Sequence, residues 1–159
     1  MIQRPQSLIL GLIIILMITT MFLPNWEKTS ADAQVSAVQT AFNLTVNDVA
    51  KPDQPDVRNR YYIAAILLLV SGLAGFSISQ YKNRINQLKI GFGITLSITL
   101  CLVAIMLGAK EGEAFLEVKQ IGKYGYGFYC LFIALFANII SNRLIRRDEH
   151  LVRSMDRIR

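Results

Sequence analysis

An all-α membrane protein is the fold class this sequence predicts: four antiparallel transmembrane helices in a bundle, with a cytoplasmic amphipathic helix extending the last span. Three observations carry the prediction. Four apolar runs, over residues 7–23, 61–79, 90–107 and 124–142, contain no Asp, Glu, Lys, Arg or His, and each has the length of about 17–25 residues that a helix needs to cross a bilayer. The basic residues stand beside those runs, where orientation signals sit, and not in a patch that would suit nucleic acid. From Phe128 to the C-terminus there is neither Pro nor Gly, so one helix can leave the bilayer and continue into water. With 159 residues, 53% of them hydrophobic, the chain is one domain by length. It divides into a four-span domain, 1–143, and a tail, 144–159.

The first run, Leu8 to Leu23, is almost wholly Leu, Ile, Met and Phe, and such residues at a helix centre each favour insertion by about 0.3–0.6 kcal/mol. Arg4 before it also suits a cleaved signal peptide. The nearest small-x-small pattern, Ala31-Asp32-Ala33, lies well beyond the apolar run, so a retained helix is expected. Pro24-Asn25-Trp26 ends that helix, with Trp26 placed as a headgroup anchor. An extracytoplasmic segment, 24–60, follows. Within it Phe42, Leu44 and Val46 alternate with polar residues as in a strand, while Val35, Val38 and Phe42 fit a helical face. Lys51 to Asp56 is rich in turn residues and expected to be mobile.

The second span opens on Tyr61-Tyr62 and carries Ser71, Gly75 and Ser79 at four-residue spacing, a stripe of small residues that lets another helix approach closely. A short basic loop, Gln80 to Lys89, leads to the third span, where Gly91, Thr95 and Thr99 form a second stripe. A second connection, Gly108 to Lys123, holds Glu111, Glu113 and Glu117. Counting Lys and Arg, one side holds Arg4, the 80–89 loop and the tail, ten basic residues against three acidic. The other side holds seven basic against eight acidic, Arg58 and Arg60 among them. The positive-inside rule places the first set, with both termini, in the cytoplasm.

Constellations that would carry chemistry are sparse. Lys123-Tyr124-Gly125-Tyr126-Gly127 resembles a potassium selectivity filter only superficially, because charged residues precede it and the next span follows at once. Gln80 and Asn138 are the most polar residues of the spans, whereas proton and ion pathways usually need ionisable groups there. One His and the two cysteines, Cys101 and Cys130, both within apolar runs, offer no metal set, and no nucleophile with its base is visible. No cofactor and no enzymatic activity are expected.

The tail repeats Leu144, Leu151 and Ile158 at seven, with Ile145, Val152 and Met155 beside them. That stripe is expected to bind a partner helix, the alternative being that it lies on the bilayer surface. Arg153, Arg157 and Arg159 are expected to meet lipid headgroups. A lone helix of this length is marginal in water, so something must cover the stripe. The bundle is not expected to do it, because a straight continuation of the last span points away from it.

Both ends of the chain resemble one family. Met1-Ile2-Gln3-Arg4-Pro5-Gln6-Ser7, and the run from Ile145-Arg146-Arg147-Asp148-Glu149-His150 through to Arg159, are similar to the termini of the DUF4293 family of Bacteroidota membrane proteins. The resemblance implies four spans, a long segment after the first, and the inner (cytoplasmic) membrane of a Gram-negative host. It implies no activity, so no functional residue is carried over. The expected function is that of a non-catalytic accessory or scaffolding subunit, docked to a larger membrane protein complex and to membrane lipid, without nucleic acid. The alternative is a self-associating small channel or transporter, a homo-oligomer with Thr95, Ser97 and Thr99 as its polar stripe.

Overall fold

In a computed structural model that describes residues 5–30, 35–48, 55–81, 83–115 and 122–156, with side chains described as far as 150 except that of Phe115, the chain forms four helices and a small sheet. The helices are α1 (Pro5–Phe22), α2 (Tyr61–Ser79), α3 (Arg84–Phe115) and α4 (Tyr126–Asp156). All four are long and apolar enough to cross a membrane. The strands are β1 (Trp26–Thr29), β2 (Val35–Gln39), β3 (Asn43–Asp48), β4 (Asp56–Asn59) and β5 (Lys123–Tyr124). The sheet corrects the all-α expectation.

Each helix packs against two others, α1 on α2 and α4, and α3 on α2 and α4. Their shared core is apolar: Leu10, Ile13 and Met17 from α1, Ile63, Leu67 and Val70 from α2, Ile94, Ile98 and Ile105 from α3, Leu131 and Ala134 from α4. Cys101 is a buried free thiol of this core, and Cys130 is half-buried and also free. Because α1 ends at β1, α2 starts after β4, α3 packs on β1 and β2, and α4 starts after β5, the helices alternate in direction with the sheet at one end of the bundle.

The antiparallel order is β4-β3-β2-β1-β5. Pairing of Trp26 with Gln39 and Tyr124, and of Gln39 with Leu44, aligns one row across four strands. That row faces inward: Trp26, Gln39 and Leu44 are buried, as are Ala37 and Lys28 of the neighbouring row. The alternation at Leu44 and Val46 is thus a true strand, while Val35 and Val38 belong to β2 and not to a helix. Most of the turn-rich stretch from Lys51 lies outside the described residues.

Trp26 is not a headgroup anchor. It is 1% exposed and packs with Ala37, Leu44 and Ala109 in a second small core. The reason is the length of α3. Its 32 residues rise ~48 Å at 1.5 Å per residue, well beyond a hydrocarbon layer of ~30 Å. Residues 84–89 and 108–115 of the predicted loops on either side of the third span are therefore helix. At its start Asn83 caps it, its Oδ1 accepting from the Asn86 backbone N–H at 3.2 Å. At its end, the overhanging turns form the floor on which the sheet lies.

The corner between α1 and α4 needs glycine. The Gly125 N–H donates to Asn25 O at 3.0 Å and the Gly127 N–H to Pro24 O at 3.1 Å. A Cβ on Gly125 would overlap the Pro24 carbonyl. The filter-like Tyr-Gly-Tyr-Gly run serves this backbone contact. Gly125→Ala is expected to cost about 1–3 kcal/mol, since a backbone carbonyl must move. Gly75→Ala, with nothing within 4 Å of its Cβ position, is expected to be neutral, and thermal unfolding in detergent distinguishes the two.

Candidate functional site

Where the sheet meets the bundle, the chain buries polar groups. Arg60, the residue before α2, is 5% exposed. Its guanidinium pairs with the Glu111 carboxylate on the overhang of α3 and donates to the Tyr62 hydroxyl at 2.8 Å. Gly108 lies between α3 and both Arg60 and Gln39: a Cβ there would overlap the Gln39 amide and stand 2.9 Å from an Arg60 nitrogen. One turn on, a Cβ at Gly112 would meet the Trp26 ring at 2.6 Å. Gln39 and Asn25 are fully buried, and neither side-chain amide has a hydrogen-bond partner among the described residues. Lys28 is buried on the same face of the sheet. The result is a cationic and amide-rich layer between an apolar bundle and a small apolar sheet core.

The backbone supports this layer. The turn joining β2 and β3 is built on Thr40, whose hydroxyl accepts from the N–H groups of Phe42 and Asn43 at 3.3 and 3.2 Å. It places Ala41 over the start of α2, where the Ala64 N–H donates to Ala41 O at 3.2 Å. That bond satisfies a helix-start donor without a side-chain cap. The Arg60 N–H donates to Phe42 O at 2.6 Å, which fixes the guanidinium over α3.

Of the residues expected to pack helices, Gly91 and Thr95 do so. The Asn138 amide on α4 donates to Gly91 O and to Thr95 Oγ1, both at 2.8 Å, and a Cβ at Gly91 would overlap the Asn142 side chain. Thr99 is exposed and bonds its own helix, donating to Thr95 O at 2.9 Å. Ser71 and Gly75 are half-buried and Ser79 is exposed, and nothing lies within 4 Å of where a Cβ on Gly75 would stand. The hydroxyls of Ser71 and Ser79 return to Leu67 O and Gly75 O, while α2 buries Leu67, Val70, Ala74 and Ser77 instead.

In the tail, Leu144 is half-buried and Ile145 is 1% exposed. The Arg84 guanidinium on α3 donates to the Asp148 carbonyl. The first turn of the tail is therefore covered by the chain itself, against expectation, because α3 begins at Arg84 and its first turns stand beside α4. Leu151, Val152, Arg153 and Met155 lie on the α4 backbone. Their side chains, with Arg157, Ile158 and Arg159, fall outside the described residues.

The sequence reading missed Asn25, Gln39 and the pairing of Arg60 with Glu111. One signal was present: Gly108 and Gly112 form a G-x-x-x-G at the end of the third span, the spacing at which a helix lets another element approach. Among the described residues no three His, Cys, Asp or Glu side chains converge.

A model of the family described as a domain of unknown function (DUF4293) matches residues 2–158 of the chain. No curated protein matches it.

Glu111→Gln leaves a buried guanidinium without its anion and is expected to cost about 1–2 kcal/mol, discounted for the solvent-facing carboxylate. Arg60→Met with Glu111→Gln should lose less than the sum of the single changes. A double-mutant cycle by thermal unfolding in detergent reads the coupling directly.

Proposed function

The chain belongs to the DUF4293 family, whose function is unknown, and from its own geometry we propose that it is a non-catalytic accessory or scaffolding subunit docked to a larger assembly in a bacterial inner membrane. The observation that carries this reading is α4. Its 31 residues run unbroken from Tyr126 to Asp156, ~46 Å at 1.5 Å per residue. One end is locked to the sheet through Gly125 and Gly127, and the other carries Leu144 and Leu151, the first two of the heptad-spaced residues that the sequence continues with Ile158. Such a rod joins a folded platform on one side of the bilayer to a helical docking segment on the other. The outward row of Ser71, Gly75 and Ser79 adds a face that a partner helix could approach within the membrane. The channel alternative has less support, because the Thr95 hydroxyl is already committed to Asn138.

In this reading both termini are cytoplasmic and the sheet is extracytoplasmic. The charge count favours it, and Arg60, one of the basic residues on the opposing side, is buried and paired with Glu111. In a background with Cys101→Ala and Cys130→Ala, a cysteine at Val57, exposed on β4, should react with an impermeant maleimide in intact spheroplasts, and one at Ser154 should not. The reverse pattern would contradict the orientation.

Leu151→Asp with Met155→Asp should release the protein cross-linked to the native tail while leaving the bundle inserted and folded. Should the partner survive that change and be lost on neutralising Arg153, Arg157 and Arg159, the tail reads lipid, at about 1 kcal/mol per charge, and the docking proposal fails.

A further inference from the structure

On the outer surface, α3 and α4 leave a groove of about 250 Å³ at the end of the bundle away from the sheet. Its chemistry changes along its length. Phe92, Thr95 and Ile139 line the part nearer the middle of the bundle, and Leu88, Asn142, Arg143 and Arg146 the part nearer its end. From Ile139 to Arg146 the helix rises ~10 Å, about the distance from the first acyl carbons of a bilayer leaflet to its headgroups.

We propose that this groove binds one anionic phospholipid, an acyl chain lying on Phe92 and Ile139 and the phosphodiester accepting hydrogen bonds from Arg143 and Arg146. Phe92 is 71% exposed and Ile139 38%, so both present apolar surface to whatever fills the groove. Arg143 and Arg146 stand three apart on one helix face, where two guanidiniums can share a single anion, and the planar fork of arginine suits phosphate oxygens. The Thr95 hydroxyl is satisfied internally: Thr95 Oγ1 donates to Gly91 O at 3.1 Å and accepts from Asn138. The other uncharged polar side chain of the lining, Asn142, lies against Gly91. Arg84 is held by the Asp148 carbonyl, which leaves the anion to the two arginines of α4. The volume lies below the ~300–1,000 Å³ usual for small-molecule pockets, fitting part of one chain with a headgroup at its arginine end. The inference requires the bundle to lie in a membrane and is independent of what the tail binds.

The test is native mass spectrometry of the full chain, released from detergent in the presence of equimolar dioleoylphosphatidylglycerol and dioleoylphosphatidylcholine. One phosphatidylglycerol per chain should be retained in preference. Arg143→Gln with Arg146→Gln should lower that retention roughly tenfold or more, while Arg153→Gln should leave it unchanged. Ile139→Trp, which fills the groove and keeps every charge, should lower it as well, and thermal unfolding should show both groove variants folded. Arg143→Lys with Arg146→Lys serves as the second variant, retaining charge without the fork and falling between the two. Equal retention of the two lipids, native retention in the double Gln variant, or no effect of Ile139→Trp would overturn the proposal, the last by placing the lipid on the charged surface instead of in the groove.

Discussion

The close approach of the sheet to the last turns of α3 is the contact on which the rest of this structure depends. A bilayer leaves no solvent partner for backbone polar groups, so only helices and closed barrels span its hydrocarbon layer, and a small open sheet must find support beyond it. Here the support is a helix that overshoots. Gly108, Ala109 and Gly112 remove side-chain bulk from one face of the overhang, and Gln39, Trp26 and Leu44 come down onto it. The Arg60–Glu111 pair closes the edge of the same contact. A sheet with strands of 2 to 6 residues would be marginal alone in water. Laid on α3 and fed by the ends of α1, α2 and α4, it becomes part of one folded unit.

Helix length divides the labour. The 18 and 19 residues of α1 and α2 rise ~27–29 Å and suffice only to cross. The surplus of α3 is spent at both ends, holding the sheet at one and the base of the tail at the other. The surplus of α4 lies wholly on the side away from the sheet, because Gly125 and Gly127 pin its start to Pro24 and Asn25. Tyr124 packs against both hydrophobic cores and stacks on Phe128 with ring centroids 4.1 Å apart, so the step from β5 to α4 joins the two cores through aromatic contact. The docking and lipid readings both draw on this asymmetry: the basic end of the bundle carries the free length and the arginines.

Much of the bundle was legible in the residues. Runs of Leu, Ile and Phe without charge mark four helices whatever their neighbours, and the lack of Pro and Gly after Phe128 foretells one long α4. The sheet was hard to see for a physical reason. Its inward face mixes Trp26, Gln39 and Lys28 with Ala37 and Leu44, so a polar residue often stands where alternation should show an apolar one. Its stability comes from pairing partners distant in sequence, such as Trp26 with Tyr124. Trp26 fits both an interface belt and a core, and only the glycines of α3 decide between them. On α2 the face buried within the chain runs through Leu67, Val70 and Ala74, beside the stripe of Ser71, Gly75 and Ser79. The local spacing could not say which of two faces a partner would take.

Hydrogen–deuterium exchange on the intact protein in nanodiscs tests most directly whether α3 holds the sheet. With the native chain, amides of β1, β2 and β3 should be protected to a degree approaching those of the bundle core. Gly112→Leu drives a branched side chain into the Trp26 ring, which cannot give way as a flexible side chain would. It is expected to abolish protection across those three strands while leaving α1, α2 and the middle of α3 slow to exchange. Unchanged protection of the strands in that variant would mean that the sheet stands on its own pairing, and the account of α3 as its foundation would be contradicted.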